Sequence, residues 1–233
     1  GSRRSRQLPK SCGWCHESAM NAGLALAWLD RSRNLDRIAK QMPLAFLFLL
    51  LAPLQVVAIE PNHLFEAGAT WDHFLDRVDR QRELWLRTSS EATVSTEMVE
   101  RVRRVGRDLQ LLVVAEDWCP DSAYSVPYVA RLAALAQVPM RVVDRATGEP
   151  AMRAHRTPDG RTATPTVVMF RQGVDVGAWV ERPAELQDLF RSIGDSPENA
   201  RRFAQRGDWY EADRGVTVLK EIVALVERSG AAK

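Results

Sequence analysis

The residues best suited to do chemistry are the five from Trp118 to Ser122, Trp-Cys-Pro-Asp-Ser, which follow an apolar run and open a helical pattern. A cysteine at the start of a helix lies beside free backbone N–H groups and the positive end of the helix dipole, which together stabilise a thiolate. Pro120 suits the first helical turn, because its missing N–H would have no partner there. Cys119 is therefore the candidate nucleophile. The alternative is a small buried cysteine without chemistry, which is common for free cysteines.

A second cysteine motif, Cys12-x-x-Cys15-His16, has the spacing of a haem c attachment site. No buried strand precedes it, as a dithiol site would require, and a zinc site would be one ligand short of the usual four or so. We therefore expect no role for this segment in catalysis, no metal site and no cofactor. The remaining histidines show no ligand spacing and are interpreted as surface or satisfied residues: His63, His73 and His155.

Length and charge limit the function classes that the chain can belong to. Its 233 residues are 45% hydrophobic, enough to bury the core of one α/β domain with extensions, which excludes a wholly disordered chain. With 32 basic and 30 acidic residues the net charge is +2, so the chain lacks the strongly basic surface of a nucleic-acid binder. The sum combines two unlike parts, since residues 1–41 are net +5 (8 basic, 3 acidic) and the rest are net −3 (24 basic, 27 acidic).

Residues 42–58 form an apolar run in which only Gln55 is polar after Pro43. The run is shorter than the roughly 20 apolar residues of a membrane span, but it fits the hydrophobic region of a signal peptide, about 7–15 residues. We therefore expect export to the periplasm or the exterior, with residues 1–41 as a basic leader outside the fold and cleavage before Ile59. The alternative is a buried core segment in a cytoplasmic protein, and in neither case do we expect a stable membrane span.

The pattern of apolar residues after residue 58 predicts the elements that position Cys119. Helical spacing predicts one amphipathic helix from Thr70 to Arg87 and a second with Thr96 as its N-cap. The segments that follow predict strands at 109–115, 140–143, 165–170 and 174–180, and helices at 119–136, 148–155, 183–193, 196–206 and 216–228. This order predicts an α/β fold with a parallel strand pair, an antiparallel hairpin and helices on both faces of the sheet.

The motif in this setting resembles the thioredoxin superfamily, and in particular bacterial thioredoxin-like proteins whose active site reads Trp-Cys-Pro-Asp-Cys. Three further segments are similar: 142–145 to a core strand, 164–166 to the cis-proline segment, and 177–183 to a run after the hairpin. The resemblance covers 96–193 and implies a thioredoxin-like fold, a central mixed sheet with helices on both faces. Residues 59–95 would then be a helical N-terminal extension and 194–233 a helical C-terminal tail.

The resemblance also implies roles for individual residues. Cys119 matches the attacking cysteine, and Pro165 matches the cis-proline that faces it. The neighbouring backbone at Thr164 would pair with an extended substrate segment. The residues expected to contact the substrate are Trp118, Pro120, Asp121, Ser122, Thr164 and Pro165.

Two departures from the family pattern shape the expected function. Ser122 replaces the resolving cysteine, and Val113 replaces a buried acid, so dithiol reduction is not expected. We expect a monothiol protein that acts on protein disulfides or glutathionylated proteins, with glutathione or another external thiol to resolve the adduct. The alternatives are a redox-inactive module that binds an extended peptide, and a variant of an ordinary dithiol enzyme. No nucleic-acid partner is expected.

Overall fold

The computed structural model describes residues 61–193 and 199–231 of the chain. The basic leader 1–41, the apolar run 42–58 and the Cys12-x-x-Cys15-His16 motif lie outside those residues, so the expectations attached to them stay predictions. Within the described ranges, no helix is both long enough and apolar enough to cross a membrane.

After residue 95, helices and strands follow each other in the predicted order. The helices are α1 (Pro61–Ala67), α2 (Trp71–Arg77), α3 (Arg82–Glu91), α4 (Thr96–Val105), α5 (Pro120–Ala136), α6 (Glu149–Ala154), α7 (Ala184–Ile193), α8 (Asn199–Asp213) and α9 (Val216–Ala231). The strands are β1 (Leu109–Val114), β2 (Met140–Val143), β3 (Thr166–Arg171) and β4 (Val174–Val180). The N-cap of α4 is Ser95 and not Thr96, since the Ser95 side chain accepts the N–H of Met98 at 3.3 Å.

The four strands form one mixed sheet in the order β2-β1-β3-β4. β1 and β2 are parallel, whereas β3 is antiparallel to both β1 and β4, which confirms the predicted parallel pair and hairpin. Because β1 and β2 run in the same direction, the segments that follow them meet at one edge of the sheet, where α/β proteins commonly bind ligands. The Trp118–Ser122 motif begins at this edge.

Helices cover both faces of the sheet, and side chains of the strands alternate between them. On one face, Leu111, Val113 and Met169 pack with buried residues of α3, α4, α5 and α9. On the other face, Leu112 and Val168 pack with buried residues of α1 and α6. Helices before residue 96 and α9 after residue 193 therefore share the core of the sheet.

The prediction of a single helix from Thr70 to Arg87 is wrong, because the chain turns between α2 and α3. Gln81 takes a left-handed φ of 52° immediately before α3. Trp85 is nevertheless fully buried, and its indole N–H donates to the carbonyl of Asp117 at 2.8 Å. Both helices face the same core, so apolar residues keep a helical spacing on either side of the turn. That spacing by itself therefore does not reveal the turn.

Gly215 joins α8 to α9 in a conformation and a space that favour glycine. Its φ is 74°, and a Cβ there would lie 2.2 Å from the ring of Tyr128. Replacing Gly215 with alanine is therefore expected to lower the free energy of unfolding by about 2–3 kcal/mol, through backbone strain and displacement of the ring. Urea unfolding followed by circular dichroism measures the change.

Gly207→Ala is the matched control for this prediction. Among the described residues outside its own helix backbone, a Cβ at Gly207, inside α8, would meet the Tyr124 hydroxyl at 3.6 Å, an ordinary contact distance, and nothing closer. This variant is expected to raise the free energy of unfolding by up to about 1 kcal/mol, because alanine favours a helix interior over glycine. Equal stability of the two alanine variants would contradict the packing described for Gly215.

Candidate thiol site

Cys119 lies between β1 and α5 and is the N-cap residue of that helix. Its side chain makes no capping hydrogen bond, and Pro120 occupies the first helical turn, as predicted. The thiol is free and buried. The residue that carries it therefore adjoins the positive end of the α5 dipole, the environment in which a thiolate is stabilised.

A carbonyl from a distant loop lies against this thiol. The peptide bond between Thr164 and Pro165 is cis, as predicted. The carbonyl oxygen of Thr164 lies 3.2 Å from Sγ of Cys119. The carbonyl of Pro165 accepts the N–H of Glu181 at 2.7 Å, which ties the proline loop to the segment after β4. The fold thus brings together a cysteine and a Thr-Pro pair that lie 45 positions apart along the chain.

Trp118 is the exposed member of the motif, with 46% of its surface accessible. Its indole N–H donates to the carboxylate of Glu116 at 3.0 Å, and its carbonyl accepts the side-chain amide of Gln81. Glu116 also accepts the backbone N–H of Arg145, at 2.7 Å. The indole is therefore held at the surface next to Cys119, with an apolar body and a polar end that suit contact with a partner.

Ser122 is fully buried in the first turn of α5, and its hydroxyl has no hydrogen-bond partner among the described residues. A buried hydroxyl left unpaired costs about 1–3 kcal/mol. Leaving a cysteine thiol unpaired at such a position costs less free energy, because the thiol behaves as a small apolar group with a weak donor. The surroundings of Ser122 would therefore suit a cysteine thiol at least as well as the serine hydroxyl.

Asp121, predicted to contact the substrate, has its carboxylate inside the protein, with 4% of the residue exposed. One oxygen accepts the hydroxyl of Tyr210 at 3.0 Å, and the other lies 3.1 Å from Arg182 and 3.3 Å from Arg206. Burial raises the pKa of Asp121, and the two guanidinium groups and the Tyr210 hydroxyl oppose that rise. Burial also raises the pKa of Tyr210 well above its usual value. Asp121 thus ties the start of α5 to α8 and to the segment after β4.

A second buried carboxylate, Glu181, extends this arrangement toward the proline loop. One guanidinium nitrogen of Arg182 lies 2.6 Å from Glu181 and 3.1 Å from Asp121, so it links the two acids. Arg161 lies 3.2 Å from the other oxygen of Glu181. The ion cluster consists of Asp121, Glu181, Arg161, Arg182 and Arg206.

Sequence reasoning missed most of the charged residues that hold the segments around Cys119 in place. Arg206 and Glu181 give no local sign of burial, because charged residues are mostly exposed and pair with partners far along the chain. Asp117 was missed for the same reason, although its carboxylate accepts the N–H groups of Asp79 and Arg80 at 3.2 and 2.9 Å. The available signal was the 177–183 run, which contains Arg182 and Glu181.

No group of three or more His, Cys, Asp and Glu side chains in residues 61–193 and 199–231 could hold a metal ion. His63 and His73 are exposed. His155 lies 2.6 Å from the carboxylate of Asp175.

Comparison with known proteins identifies the fold and the family but no activity. Residues 68–200 match the family model described as Thioredoxin, and no curated protein matches the chain. A protein of unknown function from Pseudomonas aeruginosa is 21% identical, with 72% of this chain and 97% of that chain covered and a TM-score of 0.54. An HIV epitope scaffold is 18% identical, with the same coverage of 72% and 97% and a TM-score of 0.55. Likeness at these identities shows the fold alone.

Proposed function

The chain belongs to the thioredoxin family, and on that premise we propose that it carries out thiol–disulfide exchange through the single thiol of Cys119. The observation that supports this most is the position of Cys119, which lies at the N-terminus of α5 and against the loop that holds cis-Pro165. Ser122 stands where a second thiol would be needed for a dithiol reaction. This arrangement therefore favours chemistry that proceeds through a mixed disulfide with an external thiol.

The proposed reaction needs an external thiol, for which glutathione is the candidate. The Cys119 thiolate attacks the glutathione sulfur of a glutathionylated protein, so that an S–S bond forms to Cys119 and the protein leaves as a thiolate. A second glutathione thiolate then attacks this adduct, which releases oxidised glutathione and restores the Cys119 thiolate. The net reaction exchanges one disulfide for another: the free glutathione thiol is oxidised, the protein thiol is reduced, and the proton that this glutathione loses is taken up by the departing protein thiolate. A protein disulfide would be attacked in the same way.

The proposal is tested with a glutathionylated reporter protein and the full chain. We expect release of the reporter thiol at a rate that rises with glutathione concentration. When free glutathione is withheld, one glutathione should remain on Cys119, as located by peptide mass spectrometry. Absence of both the adduct and the release of reporter thiol would reject the proposed function.

A redox-inactive module that binds an extended peptide is the second candidate, and one observation favours it. Cys119 is only 6% exposed, and its sulfur donates to the Thr164 carbonyl, a contact made by a thiol and not by a thiolate. In this function the exposed Trp118 would anchor the peptide. Capture of the peptide would then persist when Cys119 is replaced by alanine.

Replacing Ser122 with cysteine is expected to create dithiol activity. Residues 119 and 122 lie on one side of the first turn of α5, since side chains three apart on a helix are about 5–6 Å apart. The variant should reduce insulin with dithiothreitol as the electron source, whereas the wild-type chain should not. Because the Ser122 hydroxyl has no partner within residues 61–193 and 199–231, the reduced variant should be as stable as the wild type or about 1 kcal/mol more stable.

Ser122→Ala is the control, with the same expected stability and no insulin reduction. If Ser122→Cys gains no activity, serine is not the sole departure from a dithiol site, and the buried Val113 in place of the family's acid becomes the next position to test.

A further inference from the structure

A cavity of about 270 Å³ lies at the carboxyl ends of β1 and β2, beside α2. Its buried lining is apolar and includes Val78, Val142 and Val143. The volume is just below the range of about 300–1,000 Å³ that is typical of small-molecule pockets, so the cavity suits a single long side chain.

The more exposed lining of this cavity is charged and predominantly acidic. It comprises the carboxylates of Glu116, Asp117 and Asp144 and the guanidinium group of Arg77. The backbone N–H of Thr147 donates to Asp144 at 2.7 Å and lowers the pKa of that carboxyl, so Asp144 is ionised at neutral pH. The lining therefore carries three negative charges against one positive charge.

Two of these carboxylates connect the cavity to the thiol site. Asp117 is two residues before Cys119, and Glu116 accepts the indole N–H of Trp118 at 3.0 Å. An extended chain advances about 3.3 Å per residue, so a peptide joined to Cys119 and passing Trp118 could place a side chain in the cavity within two or three residues.

We propose that this cavity is a specificity subsite for a lysine or arginine side chain of the partner, two or three residues from the partner's reacting cysteine. The inference rests on the proposed function and adds a substrate class to it. The aliphatic stem of the basic residue packs on the apolar lining while its cation faces the carboxylates. An acidic side chain at the same position would be repelled by a lining with two excess negative charges.

The test uses peptides with one cysteine activated as a mixed disulfide with 2-thiopyridone, whose release reports formation of the adduct with Cys119. Three peptides differ only in carrying Arg, Ala or Glu two and three residues from the cysteine. The full chain is used with Cys12 and Cys15 replaced by serine. We expect the Arg peptide to react about tenfold faster than the Glu peptide at ~20 mM salt, and the ratio to approach one at ~0.5 M salt.

The double variant Asp117→Asn/Asp144→Asn tests the assignment to the cavity. Asparagine keeps an oxygen that can accept the backbone N–H groups these residues bind, so the variant removes charge with little change in local hydrogen bonding. The ratio of the Arg to the Glu rate is expected to fall to about two or less, since two of the three carboxylates are lost. The control Glu97→Gln/Asp188→Asn removes two charges from exposed positions outside the cavity and should keep the tenfold ratio.

The outcomes separate the inference from the function on which it rests. If no peptide forms an adduct, both the proposed function and the subsite are overturned. If all three peptides react at equal rates, the subsite alone is overturned. A preference for Arg that survives Asp117→Asn/Asp144→Asn would also overturn the subsite, because the preference would then arise elsewhere.

Discussion

Replacing Cys119 with serine is expected to abolish adduct formation with glutathionylated protein completely. A serine hydroxyl does not attack a disulfide at a useful rate, because the thiolate is the nucleophile in this exchange. Serine can still donate a hydrogen bond to the Thr164 carbonyl, which lies 3.2 Å from Sγ in the wild-type chain, so the fold is expected to persist. Intact-mass spectrometry of the full chain measures the loss, and circular dichroism verifies the fold.

Cys12 and Cys15 can also form adducts with a disulfide. The experiment therefore uses a background chain in which both are replaced by serine. In that background the chain should form one adduct, and the further change Cys119→Ser should form none. Ser122→Ala is the matched control, since among the described residues its buried hydroxyl has no partner and the proposed reaction does not use it, so this variant should react like the background chain. An adduct that persists without Cys119 would contradict the monothiol mechanism.

The same variants separate the two candidate functions. A thiol–disulfide exchange protein loses covalent capture of its partner when Cys119 is removed. A redox-inactive binding module keeps partner capture, because Trp118 and the backbone beside Pro165 would still be present. If the Cys119→Ala variant still captures the partner, without a covalent bond, the binding module is therefore favoured.

Replacing Asp121 with alanine is expected to lower the free energy of unfolding by about 3 kcal/mol, because removing one member of a buried ion cluster costs far more than losing a surface ion pair. Arg182 and Arg206 would each lose a contact, at 3.1 and 3.3 Å, and the buried Tyr210 hydroxyl would lose its bond of 3.0 Å. For a chain of this size the expected fall in melting temperature is about 6–12 °C. Thermal and urea unfolding measure the two effects.

Two further variants control for the chemistry and the position of this change. Asp188→Ala removes a carboxylate whose side chain is 66% exposed beside Arg191, and its effect should stay within about 0.5 kcal/mol. Asp121→Asn keeps an acceptor for Tyr210 but removes the charge, so its stability should lie between the alanine variant and the wild type. If Asp121→Ala is as stable as Asp188→Ala, the ion cluster contributes no net stability.

Local sequence patterns predicted the elements of the sheet and the place of the thiol. β2 runs over Met140–Val143 as predicted, and α5 begins at Pro120, directly after Cys119. Such features depend on residues a few positions apart, whose apolar spacing and capping preferences can be read directly. The cis bond before Pro165 was predicted through the family resemblance, since an isolated proline carries no sign of its isomer.

Other features could not be read because they depend on where the chain turns and what it packs against. The turn at Gln81 interrupts a regular apolar spacing. Nothing in the sequence shows that the Ser122 hydroxyl is buried with no partner in the part of the chain that the structure describes. The acidic cavity combines residues of α2 with the segments after β1 and β2, three separate parts of the chain. Each of these features arises when the elements pack.

The sequence by itself determined that a cysteine opens a helix directly after a buried strand. It also determined the mixed α/β order, because periodicity and capping act over short separations. Only the tertiary structure decided that Asp121 is internal, since its partners Arg182, Arg206 and Tyr210 lie 61, 85 and 89 residues away. A carboxylate at a helix start can be exposed or buried, and which of the two holds depends on whether distant cations and donors fold against it.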